Sequence, residues 1–440
     1  MKRFKGAFFV FLLLRALTFC REVSFKEAEE ILLKNNIEIK QAESKVIQAK
    51  YKQLEAVSPW MPKFSTSFRN TLLSRPQLDL SRLPPQQRLL FGASFPPTLT
   101  SDKLYTLNFT ISELLPLDKF FYSYRMASAS YEIAKNDYER VKRDVYVKFK
   151  ESFVRALVAR KSLEVIEMAV QISSENYKVS EKLYAEGRVS YLDFSSAKIN
   201  YLNSQINLMK AQNGYKLAKE QLKTILSVDF EVEPEGELED FLRDVEENLL
   251  KRDFDFDRLR KNIATLPEIK VLELQEKILK NNLHMTKSEI LPSIAIYGSY
   301  DWTIEDYKKP LEEWDDRYSW SITLSWPLFS GGSTFSKCKQ VRESLRQIVL
   351  LKRQVEDGLL LELNSLFSTY LQLKNSLSVL KETVSVSKDN YEVAKNYYLE
   401  GRSSYLEFLQ AELNYSNTKI NYYQTLSEYI ITCEKLKKYY

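Results

Sequence analysis

The chain has 440 residues, of which ten are glycine and one, His284, is histidine. Glycine at about a third of the usual ~7%, with no GxGxxG and no GxxxxGKS or GxxxxGKT string, excludes the common phosphate-cradling loops. A lone histidine and three scattered cysteines (Cys20, Cys338, Cys433) exclude multi-histidine metal clusters, zinc spacings and CxxC pairs, so no enzyme, cofactor or metal is expected. The net charge of +5 rests largely on Lys2, Arg3, Lys5 and Arg15; without them the chain is close to neutral, and nothing in it argues for nucleic acid.

Residues 1–20 read as a signal peptide. Lys2-Arg3-Phe4-Lys5 is a basic start and Ala7 to Leu14 a short apolar core, right for export and too short to span a bilayer. Leu17-Thr18-Phe19-Cys20 faintly resembles a lipoprotein acylation box, but Phe19 stands where a small residue is wanted, so plain cleavage near Cys20 is preferred. A buried N-terminal helix is the alternative. No later run of ~20 apolar residues offers a transmembrane helix.

Two alternating stretches follow, at about 62–74 and 103–115. In the second, Tyr105, Leu107, Phe109 and Ile111 oppose Thr106, Asn108 and Thr110; in the first, Phe64, Thr66, Phe68 and Leu72 oppose Lys63, Ser65, Ser67 and Arg69. The long connection, about 74–102, is rich in proline. Two further stretches, about 291–304 and 317–329, alternate more cleanly. Ile294, Ile296, Tyr300, Trp302 and Ile304 share one face of the first, and Tyr318, Trp320, Ile322, Leu324 and Trp326 share one face of the second. Their connection, about 305–317, is rich in charge: Glu305, Asp306, Glu312, Glu313, Asp315 and Asp316 are best read as a solvated outer loop. Each stretch is close to the ~9–11 residues of a tilted membrane strand and about twice the mean of ~5–6 for soluble strands. Tyr318, Trp302 and Trp326 would sit in an interfacial girdle and Trp320 on the lipid face. A soluble sandwich alternates too and stays open as an alternative.

Between and after the strands lie two long proline-free stretches, since all thirteen prolines fall outside 117–233 and 328–440. Proline costs ~3 kcal/mol inside a helix, so these are the predicted long helices, about 119–185 and 333–399, each near 100 Å long at ~1.5 Å per residue. Gly187 and Gly401 are read as their C-terminal stops. Ser190 and Ser404 then cap the returning helices, with Asp193 and Glu407 three residues on to close a capping box. The returning helices carry heptads: Phe408, Tyr415, Tyr422, Tyr429 and Leu436 alternate with Ala411, Thr418, Thr425 and Thr432, and Phe194, Tyr201, Leu208, Tyr215 and Leu222 alternate with Ala197, Ser204, Ala211 and Ala218. Large-against-small seams at period seven predict helices packed side by side as coiled coils, as a soluble bundle would also have.

The chain is built twice. Residues 176–207 and 390–421 align without a gap at an offset of 214, and roughly half the positions agree, among them Glu186-Gly187-Arg188 with Glu400-Gly401-Arg402 and Ser190-Tyr191-Leu192 with Ser404-Tyr405-Leu406. Each half orders as helix, two strands, long helix, tip (about 185–190 or 399–404), returning helix. The first repeat is placed at 21–228 and the second at 263–440, with 229–262 between them as a linker. A period this long is a duplicated domain.

The duplicated Tyr-x9-Gly-x2-Ser-Tyr-Leu-Asp/Glu-x3-Ala pattern at 177–197 and 391–411 resembles the TolC family of outer-membrane efflux proteins. So do the strand exits Leu115-Pro116-Leu117-Asp118 and Trp326-Pro327-Leu328-Phe329-Ser330-Gly331-Gly332. The first half departs from the family in lacking the Gly-Gly pair. The resemblance covers essentially the whole mature chain. It implies a mainly α protein with a membrane β-barrel: a homotrimer whose twelve strands, four per chain, close a barrel continued by a twelve-helix periplasmic tunnel, with 229–262 as the equatorial segment. It implies a location in the outer membrane and work as an exit duct for efflux or type I secretion, with a periplasmic adaptor and an inner-membrane transporter of RND or ABC type. The tips, Gly187, Arg188, Ser190, Tyr191, Gly401, Arg402, Ser404 and Tyr405, would dock the adaptor. The family's acidic gate rings imply a role for Glu407; Gln410 occupies the second ring position, so that ring is missing, and Asp193 would help to hold the tips shut. A non-conducting structural or adhesive coiled-coil protein of the envelope is the competing class, followed by a periplasmic adaptor.

Overall fold

The computed structural model describes residues 20–72, 103–115, 119–241, 243, 254–304, 310, 314–400 and 402–440. The signal reading, the loop at 74–102, the exit at 116–118, the acidic residues Glu305, Asp306, Glu312 and Glu313, and Gly401 lie outside the described residues. The chain is predominantly helical. In order it forms β1 (Cys20–Val23), α1 (Phe25–Asn35), α2 (Ile37–Glu55), β2 (Lys63–Leu72), β3 (Lys103–Leu115), α3 (Lys119–Ala185) and α4 (Tyr191–Leu226). There follow β4 (Glu231–Pro234), α5 (Phe256–Asn262), α6 (Pro267–Lys287), β5 (Ser293–Ile304), β6 (Asp315–Ser325), α7 (Ser333–Leu399) and α8 (Tyr405–Leu436). The long helices α3 and α7 each have 67 residues, and both begin and end at the 214-residue offset of the repeat. Gly214 and Gly358 lie inside α4 and α7 without ending them; an interior glycine costs only about 1 kcal/mol against alanine, which flanking turns absorb. Among the described residues no helix is long and apolar enough to cross a membrane.

Two compact units form, and both draw on both repeats: Met1–Val46 with Ala134–Leu272 and Leu351–Tyr440, and Ile47–Ile133 with Glu273–Leu350. In the second, the alternating stretches pair antiparallel in the order β2-β3-β5-β6. The strands of each half form a hairpin, and β3 joins β5 through pairs running from Tyr105–Ile304 to Leu115–Ile294. β6 starts at Asp315, inside the stretch read as loop, because Asp315 and Asp316 pair with Thr303 and Trp302. It ends at Ser325, ahead of Pro327, which has no N–H for a ladder.

The first unit holds the main helical core. Ser24 caps α1 by accepting from the Glu27 N–H at 3.4 Å, which drops Phe25 onto Phe149, Phe153 and Phe241 at ring-centre distances of 5.0 to 5.3 Å. β1 and β4 pair in parallel beside this cluster. Leu222 and Leu226 of α4, Leu363 of α7, and Leu426, Ile430, Cys433 and Leu436 of α8 complete it. Cys433 and the half-buried Cys338 of α7 are free thiols. The C-terminal end is tied in: Asn262 Nδ2 donates to the carbonyls of Tyr439 and Tyr440, both at 3.1 Å, and Lys438 pairs with Glu268, itself bonded to Arg143 at 2.9 Å.

One ion pair is buried in this core. Lys150 Nζ of α3 meets Glu434 Oε2 of α8 at 2.8 Å, the two side chains 3% and 9% exposed, and Lys437 reaches the same oxygen at 3.0 Å. Burial pushes the Glu434 carboxyl upward, but the two ammonium groups outweigh it and hold it below the ordinary range. A depressed carboxylate stabilises the fold above its unfolded pKa and loses that contribution as pH falls. Removing one partner of such a pair costs about 3–5 kcal/mol. Lys150→Met therefore lowers stability by about 3 kcal/mol, read as a lower melting temperature by circular dichroism, and adding Glu434→Met recovers most of the loss.

Candidate functional site

Two places concentrate residues that packing alone does not explain: the two faces of the sheet and the two hairpin tips.

Register assembles the alternating residues into continuous faces. Phe64 lies opposite Ile111, Phe68 opposite Leu107, Phe109 opposite Tyr300 and Leu107 opposite Trp302; Ile294, Ile296 and Tyr300 lie opposite Leu324, Ile322 and Tyr318. This face is mainly apolar on all four strands, interrupted by Thr66, Asn70, Glu113 and Asp316, and is left open, with Trp320 68%, Tyr318 72% and Ile322 76% exposed. Gly298 gives the face a fitted joint: a Cβ there would lie 2.7 Å from both Ile111 Cγ2 and Trp320 Cζ3, so the indole occupies the space a side chain would take. Trp326, just past β6, donates from Nε1 to the Ile290 carbonyl at 3.1 Å. The opposite face is polar. Thr110 donates to Asn108 Oδ1 at 2.6 Å, Ser299 to Asp301 Oδ2 at 3.1 Å, and the Ser299 and Ser319 hydroxyls share a bond of 2.9 Å, while Asn108 also bonds Asp301. His284 belongs to neither face and stacks on Tyr122 at 5.3 Å.

The first tip closes α3 with paired backbone bonds, Arg188 N to the Leu183 carbonyl at 2.8 Å and Gly187 N to that of Tyr184 at 3.0 Å. That is the Schellman pattern, and it needs the left-handed backbone that Gly187 supplies at φ 71. At the second tip the equivalent long bond runs from Arg402 N to the Tyr397 carbonyl at 2.8 Å; the stop assigned to Gly401 lies outside the described residues. Arg188 and Arg402 are exposed and each pairs with its own repeat's glutamate, Glu186 at 3.4 Å and Glu400 at 3.0 Å. Such surface pairs contribute little to stability, so both guanidinium groups remain at the surface for a partner.

The caps differ between the tips. Ser190 Oγ accepts from Asp193 N at 3.1 Å and the Asp193 carboxylate accepts from Ser190 N at 3.3 Å, a full capping box. Ser404 Oγ accepts from Glu407 N at 3.3 Å, but the return bond from the Ser404 N–H to the Glu407 carboxylate is not formed. The expectation of two boxes is corrected to one, because the exposed Glu407 side chain is turned out to solvent instead of folding back. Glu407 and Gln410 are both exposed, and Gln410 donates to Asn414 Oδ1 at 3.1 Å.

Behind each tip stands the same stack of rings. Tyr184 lies on Phe194 at 5.1 Å, and Tyr177 on Tyr201 at 5.8 Å; Tyr398 lies on Phe408 at 5.3 Å, and Tyr391 on Tyr415 at 5.7 Å. Tyr191 and Tyr405 lean on these stacks, and Asn200 Nδ2 donates to the Tyr405 hydroxyl at 3.3 Å, joining the two hairpins. Burial raises the Tyr405 phenol to about 12 and raises that of Tyr398, with a smaller push from Asp193. Asn200 is shared with Asn414 at the repeat offset, but the sequence assigns it no role. The buried Glu412 was missed; its signal is a charge between heptad residues Ala411 and Tyr415 where the first repeat has Lys198.

A family model described as outer membrane efflux protein matches residues 30–228 and 259–440. No curated protein matches the chain. Among solved structures, CusC aligns over 94% of this chain and 91% of its own at 14% identity and a TM-score of 0.77. The Campylobacter jejuni CmeC outer membrane channel aligns over 94% and 84% at 16% identity and a TM-score of 0.73. The MtrE outer membrane channel of Neisseria gonorrhoeae aligns over 94% and 88% at 13% identity, also with a TM-score of 0.73. These likenesses are of fold.

At the tip, Gly187→Val places a β-branched residue at positive φ, which costs about 1–3 kcal/mol. Hydrogen exchange at residues 183–190 should accelerate while the core around Phe149 keeps its protection.

Proposed function

The chain belongs to the outer membrane efflux protein family, and we propose on that premise that it is the passive exit duct of an efflux or type I secretion route. It is an outer-membrane protein and not an enzyme. The proposed assembly is a homotrimer in which four strands from each chain close a twelve-stranded barrel in the lipid, while α3, α4, α7 and α8 of each chain build a twelve-helix periplasmic tunnel. An inner-membrane transporter of RND or ABC type supplies the work, and a periplasmic adaptor docks on the tips through Arg188, Tyr191, Arg402 and Tyr405. The helix stop at Gly187 and the caps at Ser190 and Ser404 shape those tips for docking.

The observation that carries this reading is the two-faced sheet. Its apolar face suits lipid and its hydrogen-bonded polar face suits a water-filled lumen. β2 and β6 are its edges, and hydrocarbon tolerates no open edge, so copies of the chain must complete one another. A non-conducting envelope coiled coil has no use for the polar network of Asn108, Thr110, Ser299 and Asp301. Trp302, Tyr318 and Trp326 are assigned to the interfacial girdle and Trp320 to the lipid face.

Glu407 is assigned to the gate. Three exposed carboxylates around a narrow aperture focus a negative field that favours cations. Gln410 leaves the field to that single ring, and Asp193, committed to its cap, acts by holding the first tip's shape.

Mass measurement in detergent should find three chains. Trp320→Asp should abolish that species at a cost of about 1–4 kcal/mol per chain depending on depth, and Ser321→Asp, on the polar face, should leave it intact. A stable monomer, or equal tolerance of both changes, overturns the barrel.

Glu407→Gln removes the charge and leaves the Ser404 cap bond in place. The melting temperature should not change, and cation selectivity in planar bilayers should fall. Unchanged selectivity would remove Glu407 from the gate.

A further inference from the structure

Glu412 has no role in the duct as described, yet it is the most improbable residue in the tip region. It lies on α8 two turns beyond Ser404 and is 4% exposed. Its Oε2 is buried with no hydrogen-bond partner. A buried carboxylate is ordinarily paired or neutral, because an unpaired charge in a dehydrated seam costs several kcal/mol. Its neighbours in the heptad, Phe408 and Ala411, are core residues. The first repeat has Lys198 at this position, and Lys198 is exposed, so the two hairpins are built differently at this point.

The groups around it supply no positive charge. Its field acts on Tyr391 of α7 and on Tyr405 of α8. Glu175 of α3 acts on the same Tyr391, and from α4 Asn200 donates to the Tyr405 hydroxyl. Two more polar atoms near the tips are buried and unpartnered, Asn176 Nδ2 on α3 and Ser403 Oγ ahead of α8. Burial without full bonding thus occurs at more than one point near the tips, and in such dehydrated surroundings a change of charge is costly.

We propose that Glu412 is a proton-operated latch: with its carboxyl neutral, α8 packs against its neighbours and the second tip is held, and with the carboxyl charged α8 loosens and the tip is released. The proposal rests on the duct reading for its consequence, an outlet whose opening follows periplasmic pH, but not for the latch itself.

The direction follows from linkage. Desolvation pushes the buried carboxyl up to about 7, against 4.5 for an exposed one, so the packed arrangement binds the proton more tightly. Packing is fully supported below about pH 4.5 and is progressively weakened up to about 7. Above that the handicap is constant.

The test uses the full-length protein in nanodiscs. Hydrogen exchange over residues 405–420, corrected for the intrinsic pH dependence of exchange, is followed from pH 5 to pH 8. Wild-type protection should fall by a factor on the order of 10–100 as pH rises, while Glu412→Gln should stay protected throughout and Lys198→Gln should follow wild type. A flat wild-type profile, or a glutamine variant that titrates like wild type, overturns the latch; if the glutamine variant does not fold, the wild-type profile alone decides. Planar-bilayer current recorded on the same preparations separates the two claims. Absence of current at every pH counts against the duct, and the exchange profiles still decide on Glu412.

Discussion

In hydrocarbon there is no water to satisfy the N–H and C=O groups along a sheet edge, and each one left bare costs several kcal/mol. The sheet has two such edges, β2 and β6, and an apolar face that no part of the described chain covers. In water the edges are hydrated but the apolar face is exposed, and in lipid the face is accommodated but the edges are bare. In the proposed trimer, closure with further copies removes both at once, since each β6 can pair with the next chain's β2 and the apolar faces form one outer belt. The polar face then becomes a lumen without any further design. Within one chain the joint between the two halves is already of this kind, β3 against β5, so duplication has done internally what assembly does externally.

The hairpins obey a different constraint. A 67-residue helix has backbone groups at its end with no partner, and reversing direction within a few residues demands that all be satisfied locally. The Arg188–Leu183 and Arg402–Tyr397 backbone bonds meet the C-terminal half of that demand, and Ser190 and Ser404 the N-terminal half. The ring stacks of Tyr184 with Phe194 and Tyr398 with Phe408 set the helix spacing behind the turn. Backbone and side-chain constraints are thus settled inside each hairpin, which leaves Arg188 and Arg402 at the surface with only weak local ties.

What the sequence made legible was whatever has a period or a prohibition. Strict alternation at 318–326 foreshadows the two faces of β6, and the absence of proline between 117 and 233 foreshadows α3 and α4. Gly187 beside Ser190 announces a tight reversal. The less legible features depend on a third dimension. Asp315 and Asp316 look like loop and belong to β6, because the partner strand reaches that far. Glu407 looks like the twin of Asp193, yet its carboxylate stays outside the cap. Glu412 reads as one more charge on a charged helix, and only its neighbours make it a buried one.

These last cases share a pattern. The repeats agree where geometry has a single solution: the long backbone bond that ends each long helix, the serine cap, the tyrosine stacks. They part at positions that leave the hairpin's shape untouched, where Asp193 faces Glu407 and Lys198 faces Glu412 in the alignment. In the first hairpin the acid is consumed by its cap and the next charge is exposed to water; in the second the acid is free and the next charge is buried without a partner. At these two positions the first hairpin is the more completely bonded, although its Asn176 Nδ2 is also buried without a partner. If one hairpin of a duplicated pair is to move while the other holds, this is the division that electrostatics would require, with the stationary hairpin satisfied and the mobile one holding its unpaired charge in reserve.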